Sequence, residues 1–160
     1  MNQRIEVAEG DVAFAREALD LIAHLSVCCG IVISDGHGNT MAGHAMYPES
    51  HVSDYNARHL GGYITPRLSI EAILRSLGEK GIEASTLKAY IFGCNISDIA
   101  ADTAEEAKRV LEEHGIPIAS DMTQQGHIIR HYGLRLRIAP AKIKVDFLGS
   151  TEPQAEIDLS

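Results

Sequence analysis

Two apolar runs flanking a short glycine-rich polar stretch constrain this chain more than any other feature. The first is Ser26-Val27-Cys28-Cys29-Gly30-Ile31-Val32-Ile33 and the second is Met41-Ala42-Gly43-His44-Ala45-Met46-Tyr47-Pro48, with Asp35-Gly36-His37-Gly38-Asn39 between them. Apolar runs of strand length on either side of a turn signal predict a β-hairpin. A hairpin makes neighbours of residues far apart in sequence, and this one can bring a thiol and an imidazole together. Cysteine is a nucleophile only as thiolate, and a neighbouring imidazolium favours that ionisation, so the hairpin is the candidate active site.

Side chains alternate along a strand, so the register of the hairpin decides which cysteine shares a face with His44. An odd loop, Asp35 to Asn39 or Gly36 to Gly38, places Cys28 with His44. A two-residue Asp35-Gly36 or Gly38-Asn39 turn selects Cys29 instead. Two glycines spread over five polar residues read more naturally as the longer loop. Cys29 also alternates with Ile31 and Ile33 and has the pattern of a core position, and both arguments favour Cys28. Packing is the competing explanation, since free cysteine is among the most buried residue types.

Further along, Pro48 to Gly62 is the longest stretch without periodicity and is expected to be a surface loop near the hairpin. Thr65-Pro66 is a helix start, with threonine as N-cap and proline at the first helical position. Ile70, Ile73, Leu74 and Leu77 follow at helical spacing, and Gly78 or Gly81 can close the helix. Leu87 to Phe92 alternates as a strand. A second helix is expected from Asp102 or Thr103, where Thr103 and Glu106 can form a capping box, with Ala107, Val110 and Leu111 buried and Gly115 at its end. Ile116 to Ala119, Ile128 to Tyr132, Leu134 to Ile138 and Ile143 to Phe147 read as short strands, and the polar tail from Gly149 is expected to fray. Two helices and seven or eight strands joined by short turns predict an α+β domain with mixed sheets.

The length of 160 residues with 45% hydrophobic content is enough for one core, so a single domain over residues 1–148 with a tail at 149–160 is expected. The net charge of −8 argues against a nucleic-acid partner, which calls for clustered lysine and arginine. Arg135 and Arg137 only alternate with Leu134, Leu136 and Ile138, as in a half-exposed strand. The start, Met1-Asn2-Gln3-Arg4-Ile5-Glu6-Val7, has no secretory pattern, and no run is apolar for the eighteen or so residues that a membrane span requires. A cytoplasmic protein, not embedded in a membrane, is therefore expected. Cys28, Cys29 and Cys94 are odd in number and lack a disulfide-scaffold spacing, which suits a reducing compartment.

Eight histidines raise the question of a metal. No HExxH, CxxC or similar spacing occurs, and Cys28, His44 and Cys94 would have to converge to hold zinc, so no metal is expected. His37, His51, His59 and His114 sit in polar surroundings and are expected to face solvent. His127 and His131 flank Ile129 and read as structural.

The run Leu25 to Asp35 and the segment Gly43-His44-Ala45-Met46-Tyr47-Pro48 resemble the Leu-Gly-Ser-Cys-Val…Asp…Ala-His…Leu-Pro signature of the chemoreceptor glutamine deamidase family CheD. Tyr63 and the helix after it, Tyr90-Ile91-Phe92-Gly93, Leu111 to Ile116, and Asp121 leading to Gly126 and Arg130 follow in family order, so the resemblance covers roughly Ile5 to Val145. The family pattern places its nucleophile at Cys28 and its base at His44. It implies two β-sheets packed face to face with helices on the outside in α/β/β/α layers, the fold of cytotoxic necrotising factor-type cysteine hydrolases. The chain departs from the family at Ser26-Val27, where Gly-Ser is usual, at Cys94, where a second glycine follows Phe-Gly, and at Ile22, where a threonine helps to orient the histidine. Ser26 or His24, taken to share strand parity with Cys28, are the candidate replacements for that orienting group. The stretch from Gly93 to Thr103 is also shorter than the family loop.

What the resemblance implies is a thiol-dependent protein-glutamine deamidase that needs no cofactor. Its protein substrate would be a helical receptor segment carrying glutamine, and a phosphatase of the chemotaxis pathway would be a regulatory partner. Gln125, Gly126 and Arg130, with Asp121 and Gln124, lie where the family lines its substrate cleft; a satisfied turn network is the competing role. Two other functions fit the sequence: a CheD-like binding or adaptor module with an impaired site, and a cysteine hydrolase acting on another amide.

Overall fold

The computed structural model describes residues 5–16, 19–24, 28–51, 62–94, 98–123, 133–148 and 155–160. The strands are β1 (Ile5–Glu6), β2 (Val12–Phe14), β3 (Leu19–His24), β4 (Cys29–Ser34), β5 (Thr40–Ala45), β6 (Lys88–Gly93), β7 (Ile118–Thr123), β8 (Gly133–Ala139), β9 (Lys142–Leu148) and β10 (Ala155–Asp158). The α-helices are α1 (Pro66–Glu79) and α2 (Asp98–Glu113). The strands form two five-stranded sheets, one ordered β1-β3-β8-β9-β10 and the other β2-β5-β4-β6-β7. Each is mixed: β1 lies parallel to β3 and β6 parallel to β7, and the other pairs are antiparallel.

The period of two in the hairpin builds the layers. Cys29, Ile31 and Ile33 point to one side of the second sheet, where they meet Ile70, Ile73 and Leu77 of α1 and Ala104, Ala107, Val110 and Leu111 of α2. Cys28, Val32, Ala42 and Phe92 point to the other side and pack on Leu134, Leu136, Ile138, Ile143 and Val145 of the first sheet. Every residue of β4 and β5 is therefore buried, as expected for strands covered on both faces. The α+β class, with two mixed sheets face to face and helices outside, is what the chain adopts. Among the described residues both α-helices cover the second sheet.

Thr65 caps α1 as its sequence predicts, its Oγ1 accepting the Leu68 amide at 3.1 Å with Pro66 at the first position. Gly43 in β5 admits this helix closely, because a Cβ there would overlap Ser69 Oγ. Helix α2 starts at Asp98, four residues before the earlier of the two expected starts. Thr103 is thus inside the helix and its hydroxyl donates to the Ile99 carbonyl at 2.7 Å. The Glu106 carboxylate makes no capping box; it accepts the amides of Glu49 at 2.6 Å and Arg67 at 3.3 Å, tying α2 to the start of α1.

The strand expected from Ile116 begins at Ile118, and the short strands β1 and β2 were not anticipated. The fraying expected of the tail does not hold for residues 155–158, which pair antiparallel with β9 as Ile157 opposes Ile143. Leu159 is buried against the inter-sheet core. The expected Ile128–Tyr132 strand and most of the Pro48–Gly62 loop lie outside the described residues; Glu49–His51 forms a short 3-10 turn.

Candidate active site

The hairpin loop has five residues. Ser34 pairs with Thr40, and the Asp35 amide donates to the Asn39 carbonyl at 3.2 Å. Asp35 holds the loop through its carboxylate, which accepts the amides of His37 at 2.7 Å and Asn39 at 3.1 Å and the Asn39 side chain at 2.7 Å. Gly36 at φ +75° and Gly38 at φ +93° take left-handed conformations that side chains resist. An odd loop sets equal parity across the hairpin, with Gly30 opposite His44, and Cys28 and His44 fall on the inter-sheet side. Cys29 faces the helices.

His44 is 2% exposed and Cys28 8%. The His44 Nδ1–H donates to the Val7 carbonyl at 2.9 Å. A carbonyl can only accept, so Nδ1 carries a proton, and the tautomer of the neutral imidazole is the one whose lone pair is on Nε2. Nε2 is buried and has no hydrogen-bond partner. The segment that carries Val7 is held to the hairpin by the Gly10 amide, which donates to the His44 carbonyl at 2.8 Å, and by the His44 amide, which donates to the Asp11 carbonyl at 3.2 Å. The same segment brings Glu9 to the site: a carboxylate oxygen of Glu9, the Cys28 sulfur and a ring nitrogen of His44 all lie within 4.8 Å of one another. These are the three described residues that could hold a metal ion, and Cys94 does not belong to that group.

The backbone around Cys28 is clamped from β6. Gly93 at φ +87° and Cys94 at φ +59° are both left-handed, and the Cys94 amide donates to the Cys28 carbonyl at 3.0 Å. A left-handed non-glycine residue costs about 1–2 kcal/mol, and Cys94 is the position at which the CheD pattern has glycine. Its thiol packs on the helix side, hydrogen-bonded to Cys29, with that bond and burial raising its pKa well above the ordinary range.

Of the other residues singled out in the sequence, Ser26, Gln124, Gln125, Gly126 and Arg130 lie outside the described residues. His24 ends β3 in the first sheet, paired with Gly133, while Cys28 precedes β4 in the second. The strand parity assumed between them does not exist, because the chain changes sheets between these positions. Asp121 sits in a satisfied network, accepting the amide and hydroxyl of Thr123 and pairing with Lys108 at 3.0 Å. His37 and His114 face solvent as expected.

Sequence reasoning missed Val7 and Glu9. Val7 contributes a backbone carbonyl, which any residue type could offer, so no side-chain signal marks it. Glu9 had only the alternation of acids and apolar residues near the start of the chain to distinguish it.

The thiol itself departs from the expected ready-made thiolate. Burial, then the charge of Glu9 and the neighbouring Cys29, push Cys28 up to about 11. At neutral pH the group is therefore S–H, and its proton has to leave as the sulfur attacks. Alkylation of Cys28 by iodoacetamide in the native protein is expected to speed up about tenfold per pH unit from neutrality toward that value, since the thiolate fraction rises in that proportion. A rate already level at pH 7 would show an ionised resting thiol.

A buried thiol beside an imidazole anchored through Nδ1 is an arrangement that thiol-dependent acyl transfer can use. No protein-family model matches the chain. Over 57 aligned residues it is 37% identical to the probable chemoreceptor glutamine deamidase CheD 1 of Ruegeria sp. (strain TM1040). The match takes in 32% of this chain and 30% of that protein, so it spans less than a third of the relative's length. The likeness is to a CheD-like protein over that segment.

Proposed function

We propose that the chain is a thiol-dependent amidohydrolase that converts protein glutamine to glutamate. The observation that carries this reading is the convergence of Cys28 and His44, with Nδ1 engaged by Val7 and Nε2 free to take a proton. Nε2 removes the thiol proton as the Cys28 sulfur bonds to the side-chain carboxamide carbon. Backbone amides beside Cys28 hold the oxyanion, and the imidazolium returns its proton to nitrogen as ammonia departs. A water deprotonated by the same imidazole then hydrolyses the thioester, giving glutamate and the free thiol. Because the thiol is protonated at rest, attack and proton transfer are coupled, and orientation of the imidazole carries more of the rate than prior ionisation.

The partial likeness to a probable chemoreceptor glutamine deamidase supports chemoreceptor glutamine as the substrate; that it lies on a helical segment and that a chemotaxis phosphatase acts as regulator are further parts of the proposal. Among the described residues no helix is long and apolar enough to cross a membrane, and the proposed site of action is the cytoplasm. Incubation with helical receptor fragments bearing glutamine is expected to release ammonia and to give each substrate the mass change of amide-to-acid conversion. A fragment that binds and is returned unchanged would favour the adaptor reading, which has the high thiol pKa and the charge of Glu9 on its side.

A further inference from the structure

Glu9, Cys28 and His44 offer a carboxylate oxygen, a sulfur and an imidazole nitrogen, three donor types that zinc accepts, and all within 4.8 Å of one another. Tetrahedral zinc with bonds of about 2.0–2.3 Å sets such donors about 3.3–3.6 Å apart, so they need close by only about 1 Å. The exposed Glu9 side chain can supply much of that movement. His44 needs none of the usual preparation. Its Nδ1–H is anchored on Val7, the arrangement that orients metal-binding imidazoles, and its buried Nε2 lacks any partner.

We infer that Glu9, Cys28 and His44 form a site for Zn²⁺, with three protein donors and one open position, whose occupancy masks the thiol. On binding, the S–H bond of Cys28 breaks, the sulfur electron pair bonds to zinc, and one proton passes to solvent. The carboxylate that makes a bare thiolate costly here makes a cation favourable, since it opposes the one charge and attracts the other. Glu9 thus has a role that the deamidation steps do not give it. The binding claim stands on the three donors alone; that zinc halts turnover rests on the proposed amidohydrolase reading.

The test uses the full chain, reduced and freed of metal by chelation, with Co²⁺ as optical probe and Zn²⁺ as competitor. One equivalent of Co²⁺ is expected to produce a thiolate-to-metal charge-transfer band that Zn²⁺ abolishes. The band should be absent in Cys28→Ser, and Glu9→Gln, a change at an exposed position, should weaken binding by more than about tenfold. Zn²⁺ should also protect Cys28 from iodoacetamide while leaving the labelling of Cys29 and Cys94 in unfolded protein unaltered. Absence of the band, or equal affinity in wild type and Glu9→Gln, overturns the site. Neither readout involves ammonia release, so a chain that binds zinc without deamidating, or deamidates without binding zinc, separates the two readings.

Discussion

Replacement of Cys28 by alanine is expected to lower glutamine deamidation by at least about a thousandfold, the scale set by loss of a catalytic nucleophile. Neither of the other two thiols can take over. Cys29 is on the helix side of β4, and Cys94 packs there with it. The variant should still bind a helical substrate nearly as well as the wild type, because a thiol only 8% exposed gives little area to an interface. Loss of one sulfur from the inter-sheet core leaves a small cavity costing about 1 kcal/mol or somewhat more, so a melting curve and the more nearly isosteric Cys28→Ser distinguish lost chemistry from lost structure. Ammonia release from Cys28→Ala at a rate near wild type would remove the sulfur from the mechanism.

Gly43→Ala is expected to destabilise the fold by about 1–3 kcal/mol, the range for an overpacked core. The added methyl would overlap Ser69 Oγ and stand 3.3 Å from both Ile73 Cδ1 and Val12 Cγ1, so α1 and β2 confine it from two directions. Ser69 is buried and its hydroxyl has no partner, so Ser69→Ala removes the nearest obstacle at little cost. In denaturant titrations the double variant should recover a good part of the loss, a coupling expected of residues in contact. Additive effects would show that the helix does not approach β5 so closely. Since His44 is the next residue, activity should fall along with stability in the single variant and return in the double.

The hairpin and its register were legible in the sequence because glycine, asparagine and aspartate have specific places in a turn. Two glycines five-residue-loop style at 36 and 38, with Asp35 to bond the amides, left an odd loop as the economical reading, and loop parity alone determines which face Cys28 takes. Thr65-Pro66 marked α1 for the same kind of reason. The capping-box spacing of Thr103 and Glu106 points to a start at Asp102 or Thr103, yet the start at Asp98 adds Ala100 to the buried stripe, and packing outweighs the local signal. The change of sheet between His24 and Cys28 has no local mark at all. The residues before the hairpin are as apolar as those within it, and only pairing with Gly133, more than a hundred positions on, assigns His24 to the other sheet. Val7 was invisible for a different reason, since its contribution is a carbonyl.

Strands β4 and β5 have no solvent face, and their backbone groups are paired along both flanks of β4. Such a ribbon cannot open by fraying toward water; its local openings require helices or the opposite sheet to part, which places it among the last units to unfold. The thiol and imidazole accordingly ride on the slowest-breathing part of the molecule, while Glu9 reaches them with an exposed side chain from a segment pinned to that same ribbon. Backbone pairing holds the geometry, and one exposed carboxylate side chain is left to adjust the charge.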